Sequence, residues 1–246
     1  MSPFDLSRYK PKPFFTILAI DALYFVAAND ALTRARQATK RIEKAAEKVA
    51  SLQSKIDALS ENEEGHRDAQ LAMKNYDRLE QLSIWIEGAE YQLGEAYGPM
   101  LQDVAAVHLL CAASLEAHIN IQAQSRLEGL AWSLFERLSL ESKWLFLPKL
   151  LGVEGFDPGT EPFQAFSRLI RIRNKLAHYR VHREPWDAPG VPGFLKILGL
   201  SIEDAEQSIE AVRQIVSRLY SQLTQRQPHW LDGKPMSFFE IEVERE

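Results

Sequence analysis

Between Pro162 and Arg183 the chain carries six basic residues, Arg168, Arg171, Arg173, Lys175, Arg180 and Arg183, together with His178 and His182 and no Asp or Glu. The protein as a whole is acidic: 29 Lys and Arg stand against 34 Asp and Glu in 246 residues, a formal charge of -5. That balance argues against binding nucleic acid over the whole surface and confines any polyanion site to an island of this kind. By default such an island is a solvated helix face, so wheel arithmetic has to decide. At about 100° per residue, Phe166, Leu169, Ile172, Leu176 and Ala177 form an apolar face, and Arg168, Arg171, Asn174, Lys175 and His178 fall on the other side. Arg173 projects from the middle of the apolar face. An unpaired guanidinium there would suffer several kcal/mol of desolvation, so it must find a carboxylate or line a polar cleft. Asn174 and His178, four residues apart, share a face.

The run Arg173-Asn174-Lys175-Leu176-Ala177-His178 resembles the Arg, polar residue, then His motif of the HEPN superfamily (higher eukaryotes and prokaryotes nucleotide-binding), all-helical domains that include many metal-independent ribonucleases. Leu115-Glu116-Ala117-His118-Ile119-Asn120 is similar to the helix that packs against the motif helix in that family, and Leu138–Gly152 looks like its intervening segment. The resemblance covers Gln102 to His182 with a closing helix at 201–225.

What it implies is RNA cleavage in which the 2'-hydroxyl attacks the adjacent phosphate, leaving a cyclic phosphate and a 5'-hydroxyl end, with neither metal nor cofactor. Arg173 would hold the phosphate and the extra charge of the transition state, for which a planar fork is fitted. Asn174 would orient phosphate or imidazole. His178 would transfer the proton, since imidazole in general exchanges protons near neutrality. Arg168, Arg171, Lys175 and Arg180 would bind the RNA backbone, with Glu116 and Asn120 in support. Arg173 is expected to pair with Glu116. One motif supplies one imidazole, so the resemblance also implies a homodimer with two motif helices at one cleft. A toxin or phage-defence role with a cognate inhibitor belongs to the same reading. The alternatives are a non-catalytic module that dimerises and holds a nucleotide or nucleic acid, and an antitoxin-like or scaffold partner.

The remaining histidines carry less. His108 reads as a satisfied core residue, and His118 and His182 as structural or peripheral. A zinc site is a poor alternative, since His178 and His182 lack a clear third ligand. Cys111 stands alone, which excludes an intramolecular disulfide or a Cys-clustered metal site and suits a reducing compartment. Cytoplasm is the expected location. The apolar run Phe14–Ala28 is shorter than the roughly 20 residues that span a bilayer, and Asp21 interrupts it; it reads as the start of a buried helix.

The elements that would position the motif are nearly all helical. Ala35, Ala38, Ile42, Ala45, Val49, Leu52, Ile56 and Leu59 fall in steps of three and four, a heptad seam. The polar stretch Ser60–His66 breaks it, and Ala69, Ala72, Tyr76, Leu79, Leu82, Ile86, Ala89 and Leu93 resume it. An antiparallel helical hairpin follows, either a core element or an arm for a partner. Gly94, Gly98 and Pro99 should interrupt it, with a central helix from Met100 to Leu127. A shorter helical stretch runs from Leu130 to Leu151, the motif helix from Phe163 to Val181, and a last helix opens at a capping box of Ser201 and Asp204. Phe238–Val243 alternates and could add a strand. The expected fold is therefore all-α, a HEPN-like bundle with a long heptad hairpin toward the N-terminus and a short C-terminal tail. Its expected divisions are 1–99, 100–226 and 227–246.

Overall fold

The computed structural model describes residues 14–63, 69–181, 193–234 and 237–243. In order, these form β1 (Phe14–Leu18), α1 (Ile20–Glu63), α2 (Ala69–Gln124), α3 (Gly129–Glu136), α4 (Leu140–Leu150), α5 (Phe163–Ala177), α6 (Gly193–Leu198), α7 (Ile202–Gln222), a 3-10 turn at His229–Asp232, and β2 (Phe239–Val243). The fold is all-α with one added ribbon, in which β1 and β2 pair antiparallel, Phe14 opposite Val243 and Leu18 opposite Phe239.

Three expectations are corrected here. Phe14–Leu18 is strand, not the first turn of a helix. Its partner is the alternating C-terminal segment, and a main-chain bond from Ala19 N–H to the Phe238 carbonyl (2.8 Å) extends the ribbon to the start of α1. The second correction is at Pro99, which lies within a continuous α2. Proline removes one helical hydrogen bond and crowds the preceding turn, but Glu95 and Pro99 are both exposed, which leaves the freed carbonyl within reach of solvent, while Met100 and Val104 anchor the next turn in the core. Third, the stretch 130–151 is two helices, parted by Arg137–Ser139. Ser139 caps α4 by accepting from the Ser142 N–H (3.2 Å).

The chain divides into two compact units, each assembled from separate stretches, whereas the expected divisions were linear. Among the described residues, one comprises those within 14–29, 107–181 and 206–243; the other comprises those within 30–106 and 193–205.

In the second unit the heptad seam packs as its spacing requires. Leu52, Leu82 and Ala89 are buried together, with Val49, Ile56, Leu59 and Ile86 against them. Tyr76 departs from the pattern: it is 66% exposed. Arg34 joins α1 to α2 by donating from Nε (3.0 Å) and Nη2 (2.7 Å) to one oxygen of Asp103. Of the polar break, Ser60–Glu63 continues α1 and the rest lies outside the described residues. Ser201 caps α7, accepting from the Asp204 N–H (3.1 Å) and donating to its carboxylate (2.8 Å).

The first unit is centred on Phe25, Leu115, Ile119, Trp144, Phe166 and Leu219, all essentially fully buried. Its aromatic rings interlock: Trp144 meets Phe166 and Phe156 at 5.9 Å each, and Phe163 meets Phe166 edge-on at 5.2 Å. The segment after α7 is no loose tail, because Trp230 and Leu231 are buried and Trp230 packs edge-on to Phe25 at 5.3 Å. At Gly233 the backbone is left-handed (φ 68°), and a Cβ there would sit 2.7 Å from Asn29 Cγ, so both conformation and space require glycine.

Candidate functional site

The motif helix α5 is held by Phe163, Phe166, Leu169 and Ile170, which are buried in the aromatic core of the first unit. Its C-terminal half turns basic and exposed. The helix ends at Ala177, four residues short of the expected Val181, and His178 is its C-cap (φ -117°, ψ 43°). The His178 N–H still donates to the Asn174 carbonyl at 2.9 Å, which ties the histidine to the last turn. Arg173 Nη1 donates to Asn174 Oδ1 at 3.0 Å. Arg173, Asn174 and His178 are thus gathered at one helix end, with Arg171, Lys175, His178 and Arg180 exposed around it. Positive side chains are favoured there by the helix dipole. A phosphate is not, so any attraction for one must come from the Arg and Lys charges themselves.

One expected contact is absent. Arg173 does not pair with Glu116: Glu116 Oε1 lies 3.7 Å from Lys143 Nζ instead, and Lys143, only 2% exposed, also lies over the Phe135 ring at 5.9 Å. A lysine buried this deeply has the stronger claim on the carboxylate, because Arg173 is only partly buried and a long cationic side chain can extend its head toward water. Arg168, placed among the RNA-binding residues, is engaged with Glu161 at 2.8 Å, just outside the acid-free segment. That bond, with a second from the Ala165 N–H at 2.9 Å, holds the Glu161 carboxyl below the usual carboxylate range. Asn120 is partly buried on α2, and its Oδ1 has no hydrogen-bond partner among the described residues. His182 and Arg183 lie outside the described residues.

His108 is buried, as expected, with Nδ1 2.8 Å from Ser208 Oγ. Of the two alternatives expected for His118, structural or peripheral, the structural one holds. His118 lies 2% exposed at the centre of the first unit, with Nδ1 2.8 Å from Asp21 Oδ2. Asp21 is itself 6% exposed; its Oδ1 accepts from the Ala22 N–H (2.9 Å) and its main-chain carbonyl from Ser114 Oγ (2.8 Å). The imidazole lies among Trp230 (5.5 Å, edge-on), Tyr220 (5.7 Å) and Trp144 (6.3 Å, stacked). Its Nε2 has no hydrogen-bond partner among the described residues, and the residue lines a cavity of about 200 Å³. Sequence reasoning passed over this pair, though the signal was present: an Asp inside an apolar run and a His on an apolar helix each need a partner once buried. Their separation of 97 residues hides the pairing.

Among the described residues, no three His, Cys, Asp or Glu side chains come together as a metal-binding group. Cys111 is buried, which pushes its thiol pKa well above the usual range and leaves it a core residue and not a nucleophile. No family model, no curated protein and no solved structure matches this chain.

Proposed function

We propose that the chain is a metal-independent endoribonuclease of the HEPN type, working on RNA at the basic end of α5 as a homodimer. The observation that supports this reading is the clustering of Arg173, Asn174 and His178 in and just beyond one exposed, basic helical turn. The 2'-hydroxyl oxygen attacks the adjacent phosphorus and the bond to the 5'-oxygen breaks. His178 takes the proton from the nucleophile, and His178 of the partner subunit gives one to the leaving oxygen. Arg173 binds the phosphate, with its guanidinium oriented by Asn174, and Arg171, Lys175 and Arg180 hold the flanking backbone. Cytoplasm is the proposed location, and a toxin or phage-defence system with a cognate inhibitor the proposed setting.

The test is incubation of wild type and His178→Ala with mixed RNA in EDTA. Cleavage by wild type alone, yielding cyclic phosphate ends, is the expected result. Equal cleavage by both proteins, or loss of activity in EDTA, contradicts the proposal.

One observation favours a second reading. The His178 imidazole is exposed, and no contact with a described side chain sets its tautomer. A non-catalytic surface that holds a nucleotide or nucleic acid needs no such constraint. Binding of RNA without cleavage, weakened by Arg171→Ala and Lys175→Ala and unchanged by His178→Ala, would select it.

A further inference from the structure

The hairpin of the second unit carries a groove that the proposed chemistry does not use. Its seam is thin: Leu52, Leu82 and Ala89 are buried, but Val49, Ile56, Leu59 and Ile86 keep part of their surface in solvent. Along one side, α1 and α2 leave a groove of about 460 Å³ whose lining includes Lys48, Leu52, Ile84, Trp85, Gly88 and Gln92. Ile84 is 62% exposed and Trp85 53%. Gly88 lies inside a helix, where glycine is less stable than alanine. A Cβ added there would meet nothing within 4 Å among the described residues. A bare backbone at an apolar groove instead suits the close approach of a second helix.

Charge decides which helix approaches. At about 100° per residue, the groove side of α1 presents Arg41, Lys44, Lys48 and Lys55, while Glu43 and Glu47 fall on the far side. The groove side of α2 presents Asp77, Ile84, Gly88 and Glu95. These eight groove-side residues are exposed. One wall is therefore basic, and the other is apolar with an acid at each end, so the face complements itself once its walls are exchanged.

We infer that this face is an interface with a second copy of the chain, the two hairpins stacked face to face about a twofold axis that runs along the helices. That axis lays α1 on the partner's α2, and α2 on the partner's α1. A twofold axis across the helices would lay α1 on α1, basic stripe against basic stripe. Within one chain the level is set by Lys48 Nζ, which donates to Gln92 Oε1 at 3.4 Å. One turn back along α1 and one turn on along α2, Lys44 stands level with Glu95, and the axis preserves that level. Lys44 therefore meets Glu95 of the partner subunit, a contact made twice per dimer, while Ile84, Trp85 and Gly88 are covered between them. The face is about 27 Å long and about 20 Å wide across two helices. Pairing it covers about 1,100 Å² in total, against the roughly 1,000 Å² that a specific interface needs. It shares no residue with the basic end of α5, so it stands or falls apart from the proposed activity.

Sedimentation velocity of the full chain at micromolar concentration tests the interface. The wild type should associate. Lys44→Glu and Glu95→Lys each place like charges at both contacts, and each should weaken association at least about tenfold with helix content unchanged by circular dichroism. An equimolar mixture of the two variants should regain wild-type association, because each chain supplies the charge that the other has lost. Mixing cannot mend an ion pair within one chain. Gly88→Gln should raise stability against urea and still weaken association, because its side chain fills the space the partner needs. A wild type that sediments as a monomer overturns the inference, as does a mixture that associates no better than its components. Association at wild-type strength in either charge variant or in Gly88→Gln assigns the contact to another face and overturns it equally.

Discussion

Lys143 illustrates how a single buried charge redirects its neighbours. It is 2% exposed, and its partner Glu116, 45% exposed, stands 3.7 Å away, a distance at which attraction only partly offsets the loss of hydration. Lys143→Met keeps the apolar stem against Phe135 and removes the charge, so stability should stay level or rise by about 1 to 2 kcal/mol, read from urea denaturation. Glu116→Ala leaves the ammonium unpaired and should cost about 1 to 2 kcal/mol, less than for a fully buried pair because water reaches the carboxylate side. Neither change should bring Arg173 into the interior. Glu161 makes a smaller, pH-dependent contribution. Its folded pKa is depressed, so its share of stability is present above the unfolded carboxylate pKa and is lost as pH falls through the lower folded value. Acid titration of the melting temperature should therefore be slightly flatter in Glu161→Gln, and an unchanged acid limb would dissociate the Arg168 pair from stability.

The elements show the same competition between local rules and packing. Pro99 argues locally for a helix end, yet α2 runs through it because both flanks are anchored and the freed carbonyl lies on an exposed turn. Pro99→Ala should restore one helical hydrogen bond and stabilise the protein by about 1 to 3 kcal/mol in denaturant melts. A loss of stability would mean that the proline shapes a bend the packing needs. The heptad hairpin was legible residue by residue, since its seam is local and periodic. Tyr76 shows the limit of that reading, because a period names a face and not how far the partner helix covers it. The end of α5 was misjudged by four residues for a related reason: nothing in Tyr179–Val181 forbids helix, and only the exposed backbone beyond the core ends it.

For the molecule as a whole, the proposed activity depends on assembly. A single chain brings one motif imidazole, so acid and base together require a second copy, and active protein should sediment as a dimer at micromolar concentration. A monomer with undiminished cleavage would contradict the shared cleft. The exposed Met73, Ile84, Trp85 and Tyr91 on α2 are further apolar surface that dimerisation could cover, and their protection from hydrogen exchange or chemical labelling on association would identify that contact. The helix α2 is also apolar and long enough over Tyr76–Gln124 to meet a membrane-span criterion, but half of its most apolar window is buried inside the protein, and the helix carries His108 and His118, each bonded to a side chain from a distant segment.

From sequence alone, period and capping chemistry determined the helical class, the hairpin seam, the Ser201 start and the basic, acid-free face of α5, because each of these depends on residues within a few turns of one another. Only the tertiary structure decided which charges meet. Glu116 went to Lys143, Arg168 to Glu161, Phe14–Leu18 to the strand near the C-terminus, and Asp21 to His118. Partners of buried groups are chosen by distance and desolvation in three dimensions, and 97 residues of intervening chain leave no periodic trace of that choice.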